Sequence, residues 1–194
     1  MVNIEGRLKL RRFIADMTLL VHEAHGDEAT ILESGRQLLA DLISTDDWLP
    51  HRFSEPGALQ YRQYLLHCDP LGRFSVVSFV WGPGQSTPIH DHTTWGIVGV
   101  LRGAELSQGY DLVGGVPVGG RIERLEKGEV ACVSPIVGDI HKVFNALDDR
   151  ASISIHVYGG NIGEISRHVY DDEGRISSFV SGYHNDMLPN LWVA

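Results

Sequence analysis

Three histidines could do metal chemistry. In "GQSTPIHDHTTWGIVGVLRG", residues 84–103, His90 and His92 stand one residue apart; a third, His141, sits in "SPIVGDIHKVFN". Side chains alternate along a strand, so residues i and i+2 share a face. His90 and His92 therefore converge, while Asp91 turns away and reads as a structural or ligand-supporting residue. Three neutral imidazoles from two strands make a facial set that leaves coordination positions open for substrate and oxygen. Such a set has no carboxylate, so a divalent ion keeps its full charge, attracts an anionic ligand and deprotonates a thiol that reaches it. Imidazole suits iron, zinc, manganese and nickel alike, so the ligand type alone does not choose the metal.

A second pattern lies in "SISIHVY", where Ser154, His156 and Tyr158 alternate onto one strand face. Serine there can orient the histidine, and the histidine can polarise the phenol. His22 and His25 in "HEAHGDE" do not form an HExxH motif and read as an exposed helix end. His51, His67, His168 and His184 have no partner spacing.

These residues need strands to hold them, and the chain supplies them after a helical start. "RLKLRRFIADMTLLVHEA" and "EATILESGRQLLADLIS" carry apolar residues at three- and four-residue spacings. "ALQYRQYLLHC" fits either a short helix or a strand. From Phe74 onward, "RFSVVSFVWG", "TWGIVGVLRG", "AELSQGYDLV", "RIERLEKGEVACVS", "HKVFNAL" and "ASISIHVYGG" are short β-rich runs punctuated by Gly, Pro and Asp. That spacing indicates a sandwich or barrel. "VGGVPVGGR" reads as a hairpin connection, and "DEGRISSFVSGYHNDMLPNLWVA" as a strand and a tail on the barrel. The expectation is a single mainly β domain over residues 1–194, with a mostly helical segment to about residue 60 packed on a barrel from about 61 to 194.

At 194 residues the chain is long enough to bury one real core. A formal charge of −9 argues against nucleic acid or an anionic membrane as partner. The basic cluster "RLKLRR" reads as a solvated helix face. No apolar run approaches the roughly 20 residues that span a bilayer. "MVNIEGRLKLRRFIADM" lacks a secretory apolar region and cleavage site, so a cytoplasmic protein is expected. Cys68 and Cys132 form no metal or disulfide framework and are expected to be buried.

The histidine spacing resembles the two metal motifs of the cupin superfamily. Gly84, His90, His92 and Gly103 match the anchors of the first, G-x5-H-x-H-x3/4-E-x6-G, but Gly96 stands in its glutamate slot. Gly128, Pro135, Gly138, His141 and Asn145 match the second, with one extra residue in each of its first two gaps. With Ser154, His156 and Tyr158 added, roughly residues 60–170 resemble the cysteine dioxygenase family of thiol dioxygenases. The resemblance implies a cupin (double-stranded β-helix, or jelly-roll) barrel with iron(II) held by His90, His92 and His141. The partners it implies are a small thiol and O2, and the product is a sulfinate. It also implies a hydrogen-bonded Ser154–His156–Tyr158 triad whose hydroxyl points toward the substrate.

Two departures bear on the substrate. The mammalian enzymes carry a cysteine after the HxH that cross-links to the tyrosine; "TTWGIVG" has none, so Tyr158 is expected to be unmodified. Cysteine-specific members clamp the substrate carboxylate with an arginine in a Y-x-R-N-like segment. Here "YRQ" gives Tyr61, Arg62 and Gln63, with glutamine at the clamp position, although a one-residue shift would put Arg62 there. The glutamine-bearing bacterial branch is similar to 3-mercaptopropionate dioxygenase, in which an arginine at the place of Arg167 takes over carboxylate recognition. Its competing reading is a surface ion pair with Asp171 or Asp172. L-cysteine and another mercapto-acid remain alternative substrates. A different metal-dependent cupin enzyme or a ligand-binding cupin remains an alternative function.

Overall fold

The computed structural model describes residues 4–192. Residues 1–3 and 193–194, the outer ends of the expected helical and barrel segments, lie outside the described residues. The helical spacings form α1 (Ile4–Glu23) and α2 (Glu28–Ile43), and a single 3-10 turn at His51–Phe53 follows Pro50. Within the ambiguous "ALQYRQYLLHC", the last seven residues form a strand, β1 (Arg62–Cys68). Ten more follow: β2 (Ser75–Trp81), β3 (Ile89–His90), β4 (Gly96–Arg102), β5 (Ala104–Val113), β6 (Val116–Glu126), β7 (Val130–Val133), β8 (His141–Asn145), β9 (Ser152–Tyr158), β10 (Arg167–Tyr170) and β11 (Ile176–Phe179). "RIERLEKGEVACVS" is divided between β6 and β7. Gly114 and Gly115, at φ 61° and 86°, turn β5 into β6 in a conformation that side chains with a Cβ disfavour.

One sheet has the order β1-β2-β9-β4-β7 and the other β11-β10-β3-β8-β5-β6. After β2 the chain changes sheet at almost every step: β3, the β5–β6 hairpin, β8 and the β10–β11 hairpin lie in the second sheet, and β4, β7 and β9 in the first. That alternation is the double-stranded β-helix of a cupin barrel.

β9 shows why the helices are needed. All seven of its residues are buried, so it has no solvent face. Ile153, Ile155 and Val157 join a core with Phe13 and Met17 of α1 and Leu39 and Ile43 of α2. The alternate residues Ser154, His156 and Tyr158 must then face the barrel interior. β2 divides in the same way, with Val76 and Val80 toward the helices and Val77, Phe79 and Trp81 in a separate interior cluster with Tyr158. The helices cover the outer face of the first sheet and so fix which face of β9 is available for chemistry.

One expectation needs correction. Cys68 and Cys132 are half-buried rather than buried, because they lie on β1 and β7, the two edge strands of the first sheet. Among the described residues, no helix is long and apolar enough to cross a membrane.

Candidate metal centre

His90 on β3 lies directly opposite His141 on β8 in the antiparallel register. His92 follows just beyond β3, where the Asp91 amide donates to the His168 carbonyl at 3.1 Å and keeps the chain against β10. The three rings form a near-equilateral set, each pair of centroids 4.9 Å apart. One nitrogen from each ring falls within 4.8 Å of the others. All three residues are buried.

Each imidazole is held by its outer nitrogen. The Nδ1 of His90 is 3.1 Å from the Pro88 carbonyl oxygen, that of His92 is 2.9 Å from Asp139 Oδ1, and that of His141 is 3.1 Å from Ser107 Oγ. The acceptor-only carbonyl and carboxylate require Nδ1–H on His90 and His92, and the Ser107 hydroxyl accommodates it on His141, which leaves Nε2 as the lone-pair donor, the arrangement that metal-ligating histidines require. Burial pushes the His90 pKa down to about 4 and those of His92 and His141 well below the ordinary value, with mutual repulsion adding to the latter two. The rings are therefore neutral donors at pH 7 and fit a metal ion.

Asp139 does more than orient a ring. It also accepts from the backbone N–H groups of His92 and Thr93, both at 2.9 Å. Thr93 has φ 57°, a left-handed conformation unfavourable for a β-branched residue. The carboxylate thus holds the strained turn that directs His92 inward. Asp91 points away from the rings, accepting from the His168 amide and the Tyr170 hydroxyl, with His168 Nδ1 at 2.8 Å. It ties β3 to β10 and lies outside the triangle of rings.

On the opposite wall, Ser154 Oγ lies 2.7 Å from His156 Nε2, and His156 Nδ1 lies 2.8 Å from the Tyr158 hydroxyl. Trp81 Nε1 donates to Ser154 Oγ at 3.2 Å, and Phe79 stacks on His156 with centroids 4.2 Å apart. The Tyr158 ring stacks on His92 at 5.2 Å, which brings the relay against the imidazole set. Burial pushes the Tyr158 phenol further up from its ordinary value, so it stays protonated at neutral pH. Gly96 pairs with Tyr158 across the strands. A Cβ there would meet the tyrosine ring at 2.8 Å and Val133 at 2.9 Å. A bare position in the glutamate slot of the first motif is therefore what this tyrosine needs.

The residues expected to bind substrate face the same cavity, of about 200 Å³. Tyr61, Gln63 and Arg167 line it with His90, His141 and Tyr158. Arg62 points away and donates to the Tyr64 hydroxyl at 3.1 Å, because alternation along β1 sends it to the other face. The Gln63 side-chain amide donates to the Gly182 carbonyl. Arg167 is 4% exposed, and no surface ion pair forms with Asp171 or Asp172. Its guanidinium lies over the Phe179 ring at 4.5 Å, and its Nη2 donates to Ser181 Oγ at 2.6 Å. Its Nε is buried without a partner.

Sequence reasoning missed Asp139, Ser107, Ser181 and Trp81. Asp139 carried the one available signal, two residues before His141 in the second motif.

No family model matches the chain. The chain is 22% identical over 186 residues to the cysteine dioxygenase type 1 of Danio rerio, an alignment covering 92% of this chain and 86% of that protein. A double-stranded β-helix protein from Klebsiella pneumoniae superposes with a TM-score of 0.47 at 20% identity, over 58% of this chain and 89% of that one. An RmlC-like cupin from Desulfovibrio desulfuricans gives 0.43 at 20% identity, over 54% and 87%. The chain has the cupin fold, its three buried imidazoles suit a metal ion, and its sequence is similar at low identity to that of a cysteine dioxygenase.

Proposed function

We propose that the protein is a non-haem iron(II) thiol dioxygenase that converts a small mercapto-carboxylate, 3-mercaptopropionate ahead of L-cysteine, to its sulfinate with O2. The observation that carries this reading is the closed Ser154–His156–Tyr158 chain ending on a phenol stacked against His92. A cupin of another reaction class has no evident use for it. His90, His92 and His141 would hold the metal. Iron(II), when bound there, supplies a redox-active Lewis acid that keeps the thiol as thiolate and activates dioxygen.

The protein's own residues position the rest of the substrate. Arg167 remains a cation even when buried, and its unpartnered Nε is a donor available to a carboxylate. Ser181 and Phe179 fix the guanidinium plane, so little freedom is lost on binding. Tyr61, Phe79 and Trp81 form an aromatic wall, with Tyr61 and Trp81 centroids 4.7 Å apart, that excludes water. The cavity is smaller than the roughly 300–1,000 Å³ of pockets for drug-sized ligands, as a short mercapto-acid requires. Gln63 would set substrate choice together with Arg167. The likeness to a cysteine dioxygenase keeps L-cysteine as the second candidate.

The test is oxygen uptake by iron-loaded protein with 3-mercaptopropionate and L-cysteine in parallel, with sulfinate quantified. The expected result is stoichiometric sulfinate and a clear preference for 3-mercaptopropionate. Preference for cysteine would keep the chemistry and overturn the substrate. No uptake with either at full iron occupancy would overturn the assignment.

A further inference from the structure

The hydrogen-bonded chain behind Tyr158 runs to Ser154, and a buried carboxyl lies beside its end. Glu105, 3% exposed, extends from β5 into the barrel interior. It precedes by two residues the Ser107 that bonds His141, and so shares its strand face. Its carboxyl lies beside the Ser154 hydroxyl and the Trp81 indole, which favour its charged form, yet its Oε1 closes no hydrogen bond. A buried carboxyl with a bare oxygen is costly.

The hydroxyl of Ser154 limits what this contact can be. A hydroxyl has one proton and two lone pairs. Trp81 Nε1–H occupies one lone pair, so the proton and the remaining lone pair are shared between His156 Nε2 and Glu105. Once Glu105 engages Ser154, two arrangements satisfy both the serine hydroxyl and the His156 ring. With Glu105 protonated, it donates to Ser154, Ser154 to His156 Nε2, and His156 Nδ1–H to the Tyr158 oxygen, leaving the Tyr158 O–H to point into the cavity. With Glu105 ionised, Ser154 donates to Glu105, His156 Nε2–H donates to Ser154, and the Tyr158 O–H donates back to Nδ1.

We propose that the proton on Glu105 sets the polarity of the Ser154–His156–Tyr158 chain and thereby decides whether Tyr158 faces the cavity as a hydrogen-bond donor or only as an acceptor. This rests on Tyr158 facing the bound substrate, as in the function proposed above. In passing from the first arrangement to the second, each group hands one proton to the next. One proton leaves Glu105 and one emerges at Tyr158 Oη; only O–H and N–H bonds change and no electron moves.

Glu105 is a positioning residue, acting on the substrate only through Tyr158. Burial raises its pKa to about 7, against the pull of Ser154 and Trp81, so the two arrangements exchange near neutrality. Around it, β8 presents Asn145, whose amide nitrogen is taken by the Trp81 and Arg150 carbonyls. On β6 the opposite residue is Leu125, and the neighbouring Arg124 and Glu126 are exposed and paired with each other. The charge of Glu105 is felt by Tyr158.

The tautomer of His156 reports the switch. It can be followed by 15N NMR of histidine-labelled, metal-free protein across neutral pH, in the wild type and in Glu105→Gln. The expected result is inversion from Nδ1–H to Nε2–H as pH rises in the wild type, and a tautomer independent of pH in the variant. A wild-type tautomer that does not change, or a variant that inverts at the same pH, would overturn the proposal. If Glu105→Gln does not fold, infrared titration of the wild-type carboxyl answers the same question: ionisation in the ordinary carboxylate range overturns it, and ionisation near neutrality supports it. Neither readout needs thiol oxidation. Switching without any thiol oxidation would keep the relay and lose the function; thiol oxidation with a fixed tautomer would lose the relay alone.

Discussion

The two walls of the barrel hold the same residue type at similar burial and leave it with opposite capacities. On one wall, His90, His92 and His141 each spend Nδ1 on a partner behind the ring and keep Nε2 free. On the other, His156 spends both nitrogens, one on Ser154 and one on Tyr158. Burial keeps all four neutral and does not tell them apart. Their hydrogen bonds do: a histidine with one nitrogen left is a ligand, and a histidine with none left is a link. The largest test breaks the first wall. His141→Ala should lower iron(II) affinity by more than about 100-fold, beyond the 10–100-fold cost of losing a supporting partner, measured by anaerobic titration with metal analysis. Retained stoichiometric iron would mean that the three rings are not the site.

The complementary substitution addresses the second wall. His156→Gln should leave iron affinity within a few-fold of wild type while thiol-dependent oxygen uptake falls by about 10²–10⁴, the range of a positioned acid–base group. Loss of metal in this variant would erase the distinction between the walls.

Without metal, the two walls should behave alike toward acid. Burial pushes the pKa of His90 down to about 4 and that of His156 to about 3, below the ordinary value of about 6.5. The unfolded chain therefore binds more protons than the native state over that interval. The stability these groups contribute is complete above about pH 6.5 and is lost as pH falls toward the folded values, by about 1.4 kcal/mol per pH unit for each group. For His90 alone the loss is on the order of 3 kcal/mol by pH 4. Urea unfolding of metal-free protein across this range should show it, and His156→Gln should reduce the slope by one proton. An unchanged slope would mean that His156 is not buried neutral.

What the sequence revealed about these walls follows from strand periodicity. His-x-His and Ser-x-His-x-Tyr are visible because residues two apart share a strand face, so each motif already contains its own geometry. The partners that divide ligand from link are made across the fold: Asp139 reaches His92 over 47 residues and Ser107 reaches His141 over 34. No local pattern joins them. The "ALQYRQYLLHC" stretch fits two elements for a related reason. A short apolar run fits either element, and pairing with β2, irregular between Leu65 and His67, settles it. The helices were legible from spacing, but what they do for β9 required seeing that its apolar face and its triad face are both buried.

The finest comparison is within the first wall, where three different acceptors do the same job. Asp139 supports His92 with a charge and also holds two backbone N–H groups of a strained turn. Asp139→Asn should therefore cost about 10–100-fold in metal affinity. Ser107 supports His141 with one neutral hydrogen bond, worth about 1 kcal/mol, so Ser107→Ala should cost only about 5-fold. Both are read by iron(II) titration under identical conditions. If Ser107→Ala proves as damaging as Asp139→Asn, ring orientation alone governs the site and the Asp139 charge adds nothing. If the gap is as large as expected, His92 is the ligand whose basicity is tuned by its partner and His141 the one merely aimed. The three equal centroid distances would then conceal unequal donors.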